Sequence, residues 1–107
     1  MLGVTYETSI AALADPTRRA ILDHLRTGPM TVGDIAAELP VTRAAVSQHL
    51  AILKDAGFVS DKPEGTKRIY RIERRGLGEL RAYIERLWKQ IASHGRGNGR
   101  TKKKSRR

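Results

Sequence analysis

The stretch TVGDIAAELPVTRAAVSQHLAILKDAGFV, residues 31–59, holds two short helical patterns joined by Leu39, Pro40, Val41 and Thr42. Thr31 and Asp34 have the spacing of a capping box, with Asp in place of the usual Glu, so a helix opens there and carries Ile35, Ala36 and Leu39. Pro40 closes it. Thr42 then caps a further helix over 43–56, and Gly57 supplies the left-handed residue on which helices commonly end. Two short helices across so tight a connection make a helix-turn-helix candidate.

Helical projection of 43–56 gives an inner face of Val46, Leu50 and Leu53, flanked by Ala45, His49 and Ala56. Ala44, Ser47, Gln48, Ala51 and Lys54 lie opposite. Small side chains near the helix start, with hydrogen-bonding groups beside them, let a helix enter a major groove and read base edges. Thr42 and Arg43, at the positive end of the helix, suit phosphate. Taken alone, this face reads equally well as an ordinary solvated one.

Working outward, Asp15-Pro16 is a start signal: Asp caps free N–H groups and Pro loses nothing at the first helical position. The helix it opens carries Ile21, Leu22 and Leu25 inward and ends at Gly28-Pro29. Before it, residues 7–14 form a short helix, with Tyr6, Ile10 and Leu13 at helical spacing. On the other side, 58–62 and 67–72 are β-prone runs around Pro63-Glu64-Gly65-Thr66, a hairpin. Its Lys67, Arg68 and Arg71 form a basic strip suited to phosphates or a minor groove, or else a solvated edge kept soluble by charge. Tyr70 and Ile72 read as core. From about Arg74 to near Ser93 a long helix aligns Leu77, Leu80, Ile84, Leu87, Trp88 and Ile91 in one stripe. The fold class expected is mainly α with a small two-stranded β-wing, in the order α-α-α-α-β-β-α.

Composition narrows the partners. The 107 residues carry 21 basic and 11 acidic side chains, enough surplus to attract polyanions, with nucleic acid ahead of an anionic membrane surface. Seven of the ten surplus charges follow His94, in GRGNGRTKKKSRR, so 1–94 is expected to be the domain and 95–107 a disordered basic tail. The absence of cysteine removes disulfides and thiolate metal sites. No basic n-region opens the chain and no run spans a bilayer, so a cytoplasmic protein without a membrane partner is expected.

The segments ALADPTRRAIL (12–22), TVGDIAAELPVTRAAVSQHLAILKDAGFV (31–59) and EGTKRIYRI (64–72) together resemble the ArsR family of winged helix-turn-helix transcription regulators. The resemblance covers about residues 6–92. It implies five helices and a two-stranded wing, a homodimer built on the first and last helices, and repression by operator occlusion. Carried onto this chain, it assigns DNA contacts to Thr42, Arg43, Ser47 and Gln48 and to Lys67 and Arg68 of the wing. His49 matches a frequent His of the motif and either packs inward or meets the DNA backbone.

The family's metal sensors use Cys on the third helix or paired Asp and His on the last. Here the third helix has neither Cys nor His, and Glu79, Glu85 and His94 do not form such a pair, so no metal or other cofactor is expected.

The functional expectation is a sequence-specific, non-metal-responsive repressor on an imperfect palindrome of double-stranded DNA, with its effector open. Its DNA-binding residues are Thr42, Arg43, Ala44, Ser47, Gln48, His49, Lys54, Lys67, Arg68 and Arg71. The dimer seam comprises Tyr6, Ile10, Leu13, Leu80, Ile84, Leu87, Trp88 and Ile91, although the long stripe also reads as intrachain core. The alternative is a largely non-specific nucleic-acid-coating protein. An enzyme is disfavoured, because Ser47 and His49 project to different faces of one helix and no nucleophile, base and orienting group converge.

Overall fold

The computed structural model describes the backbone of residues 5–97 and the side chains of 5–93. The first four helices each open on a polar side-chain cap. Thr5 and Thr8 form a reciprocal box at the head of α1 (Tyr6–Leu13). Asp15 accepts from the Thr17 and Arg18 N–H groups at 2.7 and 3.3 Å and opens α2 (Pro16–Leu25). Thr31 and Asp34 close the expected capping box on α3 (Val32–Glu38), and Thr42 accepts from Ala45 N at 3.1 Å to start α4 (Arg43–Asp55). Each of these bonds satisfies an N–H that the helix itself leaves unpaired.

The end of α4 is fixed as firmly. Gly57 takes φ +78°, its N–H donates to Lys54 O, and Phe58 N–H donates to Leu53 O at 2.9 Å. This is the paired bonding of a glycine-terminated helix, with the Phe58 side chain driven into the core behind it. The chain leaves directly as β2 (Val59–Glu64), turns at Gly65-Thr66 and returns as β3 (Lys67–Ile72).

The wing differs from expectation in two respects. It has a third strand, β1 (Met30–Thr31), on the far side of β3, giving the antiparallel order β1-β3-β2. A two-residue strand shows no alternation of its own and forms only because β3 offers it an edge. Strand β2 also runs on through Pro63 and Glu64, leaving a two-residue turn in place of four.

The core gathers Ile21 and Leu25 of α2, Ile35 of α3, and Val46, Leu50 and Leu53 of α4 over Phe58 and Val59, each at most 2% exposed. Tyr70 and Ile72 pack against this cluster from β3, as expected.

Helix α5 (Arg75–Gly97) is fastened mainly at its start and along α1. Gly76 N–H donates to Gly57 O at 2.8 Å, and the buried Ser9 hydroxyl of α1 donates to Gly76 O at 3.0 Å. Farther along, Tyr6 of α1 and Tyr83 of α5 stack with centroids 4.1 Å apart and ring planes 3° from parallel. The helix continues past the expected end near Ser93. The rest of the tail expected at 95–107 lies outside the described residues.

Candidate nucleic-acid interface

Helix α4 buries Val46, Leu50 and Leu53 in the core, which leaves its opposite face in solvent. Thr42, Arg43, Ala44, Ser47, Gln48 and Lys54 are all exposed, as the helical projection requires. Ala44, Ser47 and Ala51 keep this face shallow, so the α4 backbone can approach a duplex closely, and Gln48 presents an amide able to donate and accept on one base edge.

Beside this face the first turns of α3 and α4 and the strand β3 enclose a cleft of about 530 Å³. Arg43, Ala44 and Ser47 line it from α4, Gly33 and Asp34 from α3, and Lys67, Arg68 and Tyr70 from the wing. The Arg43 guanidinium lies over Gly33, where a side chain would meet it at 3.4 Å. Three cations around an open cleft next to the exposed face of α4 are suited to a phosphodiester backbone.

The expected basic strip is divided. Strand alternation sends Lys67 and Arg71 to one face of the wing and Arg68 to the other, the face shared with Tyr70 and the core. Arg71 is half-buried opposite Ser60 and does not line the cleft. Lys67, at the strand end, reaches the cleft with Arg68.

Three residues not singled out from the sequence shape the site. Asp61 of β2, its side chain 4% exposed, receives Lys54 Nζ at 2.8 Å and Arg68 Nε at 2.5 Å. Those hydrogen bonds hold its carboxyl below the ordinary 3.8, and the same bond keeps the Arg68 guanidinium more firmly protonated. Asp61 and Arg68 are diagonal neighbours across the hairpin, visible in the alternation only once the register is known. Arg18 of α2 donates through Nε to Ala12 O at 2.6 Å, through a terminal nitrogen to Ala11 O at 3.4 Å, and stands 3.4 Å from His49 Nδ1. His49 is therefore half-buried against α2, and Arg18 ties α4 to the end of α1. Tyr83, finally, joins α5 to α1.

The residues expected in a dimer seam separate into two sets. Tyr6 is stacked on Tyr83, Leu13 packs on the core and Leu80 is half-buried. Ile10, Ile84, Leu87, Trp88 and Ile91 are exposed, Trp88 at 71% and Ile91 at 65%.

Among the described residues no three His, Cys, Asp or Glu side chains gather as a metal site, and no helix is long and apolar enough to cross a membrane. Glu79 and Glu85 are exposed on α5, and the His94 side chain lies outside the described residues.

The profile of the family described as "Bacterial regulatory protein, arsR family" matches residues 15–61, from the α2 cap to Asp61. The HTH-type transcriptional regulator Rv2034 of Mycobacterium tuberculosis is 53% identical over 77 residues, covering 72% of each chain. The transcriptional repressor SdpR of Bacillus subtilis is 50% identical over 54 residues, half of this chain and 60% of its own. Among solved structures, the ArsR family transcriptional regulator RHA00566 superposes with a TM-score of 0.75 at 30% identity, covering 81% of this chain and 90% of that one. These relatives are regulators and not enzymes. The matching profile, the identity to Rv2034 and the shared fold make this chain a member of the bacterial ArsR family, a DNA-binding transcriptional regulator.

Proposed function

We propose that the chain is a cytoplasmic, sequence-specific repressor that binds an imperfect palindrome of double-stranded DNA as a homodimer and acts by occluding the operator. The observation that carries this reading is the pairing of two solvent faces on one frame. The Ala44, Ser47 and Gln48 face of α4 borders a cationic cleft, while Ile84, Leu87, Trp88 and Ile91 expose a continuous apolar strip on α5. An apolar strip of this kind on a soluble chain is costly unless a partner covers it, and a second copy supplies the same strip in return. Two α4 helices related by a two-fold axis then meet successive major grooves about 34 Å apart, which requires half-sites in inverted repeat.

In this arrangement Gln48 and Ser47 read bases. Thr42, Arg43, Lys67 and Arg68 hold phosphates, with Lys54 and Arg71 at the margins, Ala44 allowing close approach and His49 supporting the helix from behind. Ile10 joins the exposed α5 residues in the seam, and Tyr6, Leu13 and Leu80 support it from within each subunit. Residues 1–94 form the DNA-binding and dimerisation unit, and 95–107 contribute cationic affinity. Repression, and not activation, is supported by the naming of SdpR as a repressor. Metal-independent DNA affinity is supported by the lack of cysteine and by the scatter of carboxylate and imidazole groups among the described residues.

The test is selection of duplexes from a random-sequence library by the purified full chain, with and without zinc, alongside sedimentation of the free protein. Recovery of one inverted-repeat sequence in both conditions, by a dimer, is the expected result. Recovery of unenriched sequence would favour a non-specific coating role, and a zinc-dependent change would end the metal-independent reading.

A further inference from the structure

Lys54 lies in the last turn of α4, Asp61 in the middle of β2 and Arg68 near the start of β3. One carboxylate therefore fastens the recognition helix to both strands of the wing. Its side chain is 4% exposed, whereas those of its two cationic partners are each 53% exposed. A carboxylate this sheltered is tolerable only while its hydrogen bonds are made, so its two partners are held in place by the cost of leaving it unpaired. Of the cations themselves, Lys54 lies on the exposed face of α4 and Arg68 lines the cleft beside it.

We infer that Asp61 is a specificity-determining residue of this regulator, a positioning residue that acts through Lys54 and Arg68 and not by touching DNA. The inference rests on the proposed assignment of those two side chains to the DNA face. Two effects follow from the one carboxylate. It fixes the wing against α4, so that base-reading and phosphate-holding groups meet the duplex in one register. It also cancels one of two positive charges that would otherwise be free for any phosphate. Non-specific affinity is governed by the number of phosphates neutralised, whereas specific affinity depends on groups arriving together in one geometry. Asp61 thus lowers the first and supports the second, which widens the ratio between them.

Asp61→Asn keeps the shape, removes the charge and leaves one oxygen where two bonds were accepted. The experiment titrates the full chain by fluorescence anisotropy against two probes over a series of salt concentrations. One is the duplex that the wild-type protein selects from a random library, and the other is an unselected random-sequence duplex. Asp61→Asn is expected to bind the random duplex more tightly and to steepen its log affinity versus log salt slope by up to about 0.9, one added phosphate. The selected-to-random affinity ratio should fall about tenfold, the order expected for losing a charge-assisted hydrogen bond that orients the wing.

Asp61→Glu keeps the charge and should keep the wild-type slope. If Asp61→Asn does not fold, Lys54→Met/Asp61→Asn restores the local charge to its wild-type value. That variant should show the wild-type slope with the ratio still lowered. Equal weakening on both duplexes, an unchanged ratio, or an Asp61→Glu slope as steep as that of Asp61→Asn would overturn the inference. A wild-type protein that selects no sequence would instead overturn the proposed function on which it rests.

Discussion

Replacing Gly76 by alanine reverses the sign that helix propensity alone would assign. In a helix interior Ala is favoured over Gly by about 0.8–1 kcal/mol, so a reading from sequence expects stabilisation. In the fold, a Cβ at Gly76 would lie 2.4 Å from Ala56 O, 3.0 Å from Gly57 C and 3.1 Å from Gly57 O. Contact between a carbon and a carbonyl oxygen begins near about 3.3 Å, so the α5 backbone must retreat by roughly 0.9 Å from the end of α4. All three obstacles are backbone atoms, and the two at Gly57 are pinned by the turn that ends α4. Retreat stretches Gly76 N–H to Gly57 O, now 2.8 Å, and Ser9 Oγ to Gly76 O, now 3.0 Å. Overpacking of this kind costs about 1–3 kcal/mol, and loss of one such hydrogen bond about 0.5–1.5 kcal/mol. After the propensity gain is subtracted, Gly76→Ala should destabilise by about 0.5–4 kcal/mol, with about 2 kcal/mol at the centre of these ranges. Gly78, two residues on, has nothing within 4 Å of its Cβ position, so Gly78→Ala should stabilise by about 0.5–1 kcal/mol. Urea unfolding of both variants at one protein concentration, since association adds to apparent stability, measures the difference. Two variants agreeing within about 0.5 kcal/mol would refute the reasoning, because they would show that the α4–α5 junction yields without cost.

Gln48→Ala should relax base preference at one position per half-site by about 1–3 kcal/mol, whereas Lys67→Ala, which leaves the Asp61 ties intact, should weaken binding to all sequences alike; binding-site selection with each variant separates the two. Leu87→Asp or Trp88→Asp should yield monomers by analytical ultracentrifugation, since each places an unpaired charge in the proposed seam, and a dimer that persists would assign the strip another role. The Asp61 carboxyl is held below its ordinary 3.8 in the folded chain, so it adds stability above the unfolded value and loses it as pH falls through the folded one. Below about pH 5 the wild-type protein should accordingly lose stability faster than Asp61→Asn, and parallel acid-unfolding curves would count against the ion triad. Removing residues 96–107 takes away seven cations and should weaken selected and random duplexes by similar factors while flattening the salt slope by up to about 0.9 per phosphate lost.

Much of the fold is local chemistry, and local chemistry is written in the sequence. The caps Asp15, Thr31 and Thr42, the stop at Gly57 and the 3.6-residue spacing of Val46, Leu50 and Leu53 each act within one or two turns of chain. Their partners are a few residues away, so the helices, the solvent face of α4 and the family could all be read from the order of residues. The apolar strip of α5 was legible for the same reason, although whether it faced inward was not. Its exposure at Ile84, Trp88 and Ile91 depends on how far α5 stands from the core, and that distance is set at Gly76 and by the Tyr6–Tyr83 stack.

What tertiary structure alone decided is every relation between elements. The β1 strand exists only because β3 presents an edge to it. The extension of β2 through Glu64 set the hairpin register, and that register put Asp61 beside Arg68 and sent Lys67 and Arg71 to the other face. Arg18 reached His49 across 31 positions of sequence, and Ser9 reached Gly76 across 67. Periodicity records which way a residue faces on its own helix or strand and is silent on what stands opposite. The ties that hold α4 to the wing and to α1 are pairings across that gap, and they form only when the elements have packed.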